Sequence, residues 1–215
     1  MRLLSVNIGQ RTTQPKGNEL EITGINKLPA QGLVELTRLG IPGDFIADTA
    51  NHGGPDQAVY LYGERDYEWW SKDLGRPLPP GTFGENLTIG ELESAHFGVG
   101  DRLEVGSAIL EVTAPRIPCS TLARRMGDPM FVKRYRHAER PGLYCRVISV
   151  GTIKEGDEVR LEAFGGEAVK VIDIFREHYA LEKNEAILRR FLAAPIAARA
   201  RVDVTKRLEK MLSRS

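Results

Sequence analysis

The chain has 215 residues and a nearly balanced charge, with 30 Lys and Arg against 29 Asp and Glu. This balance does not support a nucleic-acid polymer as a partner, because such partners select a basic surface. The 2 cysteines cannot form a disulfide scaffold, and no window approaches the ~18 consecutive apolar residues of a membrane span. We therefore expect a cytoplasmic protein without a membrane contact.

The first half of the chain consists of short apolar runs separated by turn residues. Residues 3–8 have the composition of a buried strand, whereas residues 9–18 are polar, contain Gly and Pro, and are predicted to form a loop. A helix is predicted over 64–74, where Tyr67 and Trp70 share one face. Further short strands are predicted within 21–25, 32–36, 57–62 and 86–89.

Glycine content and two Gly-Asp turns indicate a β-rich body. The 22 glycines are about a tenth of the chain, above the usual ~7 %. Gly100-Asp101 and Gly156-Asp157 are each followed by an alternating strand, which is typical of a closed or nearly closed antiparallel barrel. Two more strands and a helix are predicted at 108–113, 143–150 and 120–137. The predicted fold is mainly β, with an antiparallel barrel domain over residues 1–165.

The strand pattern ends at Gly165-Gly166. Helical spacing of apolar residues predicts three short helices within residues 166–215, which we interpret as a small C-terminal domain. Its apolar residues exceed what so short a segment can bury by itself. The helices are therefore expected to pack on the barrel or on a second subunit, as in a homodimer.

The connector 115–119, between a predicted strand and a predicted helix, carries the main chemical signal. Pro115 and Pro118 fix their φ angles, so Arg116 and Cys119 lie on a stiff segment. A helix start and neighbouring arginines favour the thiolate form of Cys119, which would make it a nucleophile or a soft metal ligand. A buried structural cysteine is the alternative, and Cys145, mid-strand between apolar neighbours, is predicted to be of that kind.

Two glycine-bracketed segments are further candidates. His52-Gly53-Gly54 precedes a predicted strand, and paired glycines let an anion approach backbone N–H groups; the alternative is a turn with a surface histidine. Asn86 ends a second segment, 80–86, and is either a ligand-binding amide or a cap for backbone groups. The sequence contains no zinc-type spacing of His and Cys and no nucleotide-binding loop motif.

In this order the segments resemble the MOSC domain family, named for the C-terminal domain of molybdenum cofactor sulfurase, and within it the YiiM-type branch with three C-terminal helices. The resemblance spans about residues 24–162 and is carried by Gly43-Asp44, Asp48, 52–59, 83–87, Gly100-Asp101, 115–119 and Gly156-Asp157. It implies a β-barrel that binds a molybdenum–pyranopterin cofactor.

The resemblance also implies roles for individual residues. Cys119 corresponds to the motif cysteine, which is the catalytic residue and the thiolate ligand to molybdenum. Lys27 lies where relatives often have Lys followed by Pro, although Leu28 intervenes here. The implied cofactor-binding residues are Lys27, His52, Gly53, Gly54, Phe83, Asn86 and Arg116. A soft metal favours thiolate, and a phosphate favours Arg, Lys and backbone N–H groups, so these types suit the ligand.

Members of the family reduce N-hydroxylated compounds. The resemblance therefore implies a molybdenum-dependent oxidoreductase acting on N–O bonds of a small-molecule substrate, such as an N-hydroxylated purine base. The sequence has no motif for its own electron donor, so an external electron-donor protein is expected. Two alternatives stay open: a non-catalytic cofactor carrier or sulfur-handling module, and a cofactor-free enzyme in which Cys119 and His52 form a nucleophile–base pair.

Overall fold

The computed structural model describes residues 1–167, 169–182 and 184–213. The predicted C-terminal domain, 166–215, therefore includes four positions outside the described residues, namely Ala168, Lys183, Arg214 and Ser215. The strands are β1 Leu3–Gly9, β2 Thr12–Lys16, β3 Glu19–Thr23, β4 Lys27–Pro29, β5 Val34–Leu36, β6 Val59–Gly63, β7 Leu87–Ile89, β8 Arg102–Val105, β9 Ala108–Ala114, β10 Leu143–Ser149, β11 Gly151–Ile153 and β12 Val159–Glu162. The α-helices are α1 Glu64–Leu74, α2 Ser120–Met126, α3 Phe131–Ala138, α4 Val171–Tyr179, α5 Glu185–Ala193 and α6 Ala198–Leu212.

The main sheet is mixed and open. Its eight strands follow the order β12-β8-β9-β10-β6-β7-β1-β4, and β6 and β7 pair in parallel, with Leu61 opposite Leu87. A parallel pair needs a crossover connection, which α1 and the loop after it provide. The prediction of a mainly β, antiparallel barrel is therefore corrected to a mixed sheet, because the order ends at two different strands, β12 and β4, and six α-helices accompany it among the described residues.

The loop predicted over residues 9–18 is wrong, because residues 12–16 form strand β2. Strand β2 pairs antiparallel with β3 through residues 12–23, and Gly17 takes a positive φ of 61° at the turn. Pro15 made this segment resemble a loop. It fits here because β2 pairs on one side only, so the missing N–H of proline costs no ladder hydrogen bond.

The helix predicted over 64–74 is confirmed as α1. The single helix predicted over 120–137 is wrong, since Gly127 adopts a left-handed conformation and ends α2. Its N–H caps carbonyls of the last turn, which is the usual geometry of a helix C-terminus. The chain then starts α3 at Phe131.

Three helices follow the sheet, as predicted. Leu188 of α5 and Leu208 of α6 belong to the same buried cluster as Leu110 of β9, so these helices pack on the sheet. Phe175 of α4 joins a second, aromatic cluster that includes Trp70 of α1. The division into two domains stays a prediction. No described α-helix combines the length and the apolar character that crossing a bilayer requires.

Candidate functional site

A cavity of about 500 Å³ lies beside the connector between β9 and α2. Its wall includes β3 and the two residues after it, the start of β4, the loop 44–57, the segment 84–86 and the start of α2. Six of the eight predicted site residues line it, namely Lys27, His52, Gly53, Asn86, Arg116 and Cys119. Residues spread over more than ninety positions therefore meet at one place, while their individual roles stay predictions.

Cys119 occupies the N-cap position of α2, where its extended backbone ends the stiff connector. Its carbonyl accepts the backbone N–H of Leu122 at 3.1 Å, which starts the helix. The side chain is half-buried and faces the cavity. The connector thus fixes the direction of the sulfur before any ligand is present.

The thiol of Cys119 is unusually acidic. Burial opposes its ionisation, but the hydrogen bond with His52, the charge of Arg116 and the backbone N–H of Leu122 together lower the pKa to about 6. At neutral pH the sulfur is therefore mainly thiolate, the form that attacks electrophiles and binds soft metals. The imidazole Nδ1 of His52 also lies 3.2 Å from the hydroxyl oxygen of Tyr144.

Cys145 behaves in the opposite way, as the sequence predicted. It is fully buried in β10 among sheet residues. Burial, with a smaller contribution from Glu111, raises the pKa of its thiol. Two cysteines of one chain thus differ because one faces a polar cavity and the other an apolar core.

Arg116 is buried, with 5 % of its surface exposed. One of its Nη atoms donates to the carbonyl of Phe83, and its guanidinium lies 5.0 Å from the ring centre of Tyr60. Its Nε has no hydrogen-bonding partner among the described residues, and neither has Oε1 of Gln57, which lines the same cavity. Buried polar atoms are rarely left unmatched, so these two atoms indicate where a polar ligand would bind.

Lys27 lies at the cavity, but its charge is already neutralised. Its ammonium forms an ion pair with Asp44, and both side chains are more than nine-tenths buried. The carboxylate of Asp44 also accepts hydrogen bonds from the N–H of Gly9 at 2.7 Å and from the amide of Asn86 at 2.9 Å. Burial lowers the pKa of Lys27, and Asp44 opposes that shift. Lys27 and Asn86 thus serve first to hold Asp44.

Gly54 and Phe83 are not part of the cavity wall. The ring of Phe83 stacks on Tyr62 with centroids 4.4 Å apart, inside the aromatic cluster behind the site. Gly54 has a positive φ of 81° and begins the 3₁₀ turn that precedes β6. The structure therefore places both residues where they support the wall, and the predicted cofactor contacts of these two stay predictions.

Three residues of the site received no role from the sequence. Asp44 is the acceptor for Lys27, Gln57 carries an unmatched oxygen, and Tyr144 contacts His52. The position of Tyr144 could have been predicted from the sequence, because strand alternation puts its side chain on the face opposite Cys145. Asp44 was not, because only tertiary folding brings it against Lys27.

The family model described as the MOSC domain matches residues 48–160. The uncharacterized protein YflK of Bacillus subtilis (strain 168) is 34% identical over 212 residues, which cover 98% of this chain and 96% of that protein. A protein of Gibberella moniliformis named "Reductase" is 32% identical over 164 residues, 74% of this chain but only 29% of that protein. The crystal structure of YiiM from Geobacillus stearothermophilus superposes with a TM-score of 0.79 at 28% identity, covering 96% of this chain and 98% of that one. The chain therefore belongs to the MOSC domain family and is a YiiM-type member of it.

Proposed function

We propose that the cavity binds a molybdenum–pyranopterin cofactor and that the protein is an oxidoreductase that reduces N–O bonds of N-hydroxylated compounds, such as N-hydroxylated purine bases. The observation that carries the proposal is the acidic thiol of Cys119, held by a stiff connector at the wall of a cavity of about 500 Å³. Membership of the MOSC family and the relative named "Reductase" support it.

The residues present fit such a group. Cys119 would provide a soft thiolate ligand to the metal. The unmatched Nε–H of Arg116 and the backbone N–H groups at Gly53, which has a positive φ of 72°, would donate hydrogen bonds to its anionic phosphate. Gln57 would contact the polar edge of the pterin, whereas Asn86 contributes through the wall, because its amide already donates to Asp44 and accepts the N–H of Tyr60. Lys27 contributes little here, because Asp44 neutralises it.

When bound, the cofactor would supply two-electron redox chemistry at its metal. The chain's own part is to bind and orient. Ile22, Ile25 and Ile46 give the cavity an apolar side against which a flat heteroaromatic substrate would pack. Nδ1 of His52 and the hydroxyl oxygen of Tyr144 lie 3.2 Å apart in the lining, within hydrogen-bonding distance of each other. Reduction of an N–OH group consumes an electron pair and two protons and releases water, so an external electron-donor protein is part of the proposal.

The test is metal retention and turnover in matched cysteine variants. The full chain is produced in a host that makes the cofactor, and its molybdenum is counted per chain by mass spectrometry. We expect the wild type and Cys145→Ser to retain molybdenum and to reduce an N-hydroxylated purine with a chemical reductant. We expect Cys119→Ser to lose both properties, since a hydroxyl is a harder and poorer ligand.

Two other outcomes would redirect the proposal. Molybdenum retention through Cys119 without turnover would favour a cofactor carrier or sulfur-handling module. Wild-type retention in Cys119→Ser would reject the site altogether.

The position of His52 in the same cavity lining as Cys119, where it helps to lower the pKa of the thiol, favours a second candidate, a cofactor-free enzyme in which the thiolate attacks a small ester or amide. Protein made without the cofactor would then hydrolyse an activated ester, and His52→Ala would abolish this. Absence of any Cys119-dependent hydrolysis would exclude it.

A further inference from the structure

The segment that carries His52 has little to fix its position from within. This segment, residues 48–57, is called the histidine loop here; its first four residues are exposed. The N–H of His52 donates to the carbonyl of Asp48 at 2.9 Å, and the N–H of Asn51 to the carboxylate of Asp48 at 3.2 Å. These bonds shape the loop locally, but they do not hold it against the rest of the molecule.

Strands β9 and β10 hold the loop at two points, since Tyr144 contacts His52 and Thr113 donates to the carbonyl of Asp56. Two consecutive residues at the start of α6 add two further attachments. An Nη of Arg199 donates to the carbonyl of Thr49 at 3.1 Å, near the beginning of the histidine loop. The N–H of Ala198 donates to the carboxylate of Asp56 at 2.6 Å, near its end. Ala197 provides no side-chain cap, so Asp56 caps this 15-residue helix from another part of the chain. His52 and Gly53 lie between the two attachments.

The start of α6 is itself held by the strands that position the cavity. The N–H of Ala197 donates to the carbonyl of Thr113 in β9 at 3.2 Å. Arg146 of β10 donates to the carbonyl of Pro195 at 3.1 Å and pairs with Asp56 at 3.0 Å. Strand β9 leads into the connector of Cys119, and β10 carries Tyr144. The histidine loop is therefore fixed relative to the same strands as the sulfur it faces.

We propose that Arg199 is a positioning residue, which keeps His52 beside Cys119 by holding the carbonyl of Thr49 against the start of α6. Arg199 lies outside the segment matched by the MOSC domain model, 48–160, so the inference gives the C-terminal helices a task at the site. It concerns the same site as the proposed function, but its test needs neither metal nor turnover, so the two can fail separately.

The test uses the full chain from a host that lacks cofactor synthesis, so that Cys119 is free. Amide hydrogen exchange of the peptide 48–57 reports the loop, and the rate of Cys119 alkylation by iodoacetamide at one neutral pH reports its contact with His52. In Arg199→Ala we expect exchange roughly twofold to tenfold faster. We expect alkylation to slow towards the rate of His52→Ala, which serves as the limiting case.

Two variants separate positioning from general stabilisation of α6. Arg199→Lys keeps a donor for the carbonyl and should restore both readouts. Arg207→Ala is the matched control, because Arg207 pairs with Asp203 within α6. Wild-type values in Arg199→Ala, or equal changes in Arg207→Ala, would overturn the proposal. If Arg199→Ala does not fold at the assay temperature, Arg199→Met, which keeps a long side chain but has no donor, is judged by the same two criteria.

Discussion

The buried pair of Lys27 and Asp44 makes the sharpest prediction about how the site is held together. The exposed fractions of the two side chains are 8% and 6%, so Asp44→Asn leaves the ammonium of Lys27 buried, away from water and without its counter-charge. Removing one partner of such a pair costs about 3–5 kcal/mol of unfolding free energy. For a chain of this size the melting temperature should fall by roughly 6–20 °C.

The pH dependence of this loss has a definite sign. Burial lowers the pKa of Lys27 below 10.5, and without Asp44 nothing of comparable strength opposes that shift. In Asp44→Asn the folded state therefore binds fewer protons than the unfolded state, and its stability rises with pH. The deficit is largest below the folded pKa and shrinks as the pH approaches 10.5, the value for the unfolded chain.

Urea unfolding followed by circular dichroism measures both effects, and Lys27→Met combined with Asp44→Asn is the control. The double variant has no buried charge and should recover most of the lost stability. It should also retain the cofactor in the molybdenum assay, because Lys27 is assigned a structural task here. A loss below ~1 kcal/mol in Asp44→Asn without pH dependence, or a stable double variant that cannot bind molybdenum, would refute this reasoning.

Three further outcomes are expected. The rate of Cys119 alkylation should exceed that of Cys145 and should depend on pH with a pKa of about 6. Because this folded pKa lies below 9.0, the value for the unfolded chain, the thiolate stabilises the fold fully above pH 9.0, and this stabilisation is lost as the pH falls towards 6. Unfolding measured at several pH values would show the loss. Gly53→Ala should cost roughly 2–4 kcal/mol, since its Cβ would lie 2.8 Å from a side-chain methyl, whereas Gly17→Ala, equally positive in φ but without a neighbour, should cost roughly 1–2 kcal/mol in the same unfolding assay. Tyr144→Phe should keep the melting temperature and lower turnover roughly tenfold, because the imidazole loses its hydroxyl partner; unchanged turnover would contradict this.

Local features of the fold were predictable because short-range sequence determines them. Helix α1 has the predicted bounds, and most strands of the main sheet lie within one or two residues of their predicted positions. The end of α2 was also predictable, since a glycine such as Gly127 commonly marks a helix C-terminus. A continuous helix was predicted instead because the apolar spacing resumes soon afterwards.

Pairing between distant strands was not predictable in this way. Nothing in 59–63 or 87–89 states that these two strands run in parallel, because that depends on where α1 packs. The β2–β3 hairpin was missed for a different reason. Pro15 and the polar composition of 9–18 are typical of loops, and only the pairing with one partner strand makes them compatible with a strand.

The candidate site was predicted from the order of its motifs along the chain rather than from the spacing of residues within one motif. This explains which site residues were predicted correctly and which were assigned the wrong role. The order of the motifs predicted that Arg116, Cys119 and His52 lie together, and all three line one cavity. The same prediction assigned both Lys27 and Arg116 to the anionic group of the cofactor. Burial decides which of them is free, and burial placed Asp44 against Lys27. Only the structure could show that Arg116 keeps an unmatched Nε while Lys27 has a full partner.

The charges of the cavity constrain its ligand. Lys27 and Asp44 are neutral as a pair, and Glu21, which also lines the cavity, is paired with Arg124. Apart from the exposed Asp48, the charged groups left in the described lining are the guanidinium of Arg116 and the thiolate of Cys119, and the first helps to stabilise the second. A free anion that bound to Arg116 would have to compete with the thiolate and would raise the pKa of that thiol. A ligand that brings a metal centre to Cys119 and an anionic group to Arg116 satisfies both charges at once. The arrangement therefore favours a two-part ligand, with an electrophilic centre and an anion in one molecule, over phosphate or a metal ion alone.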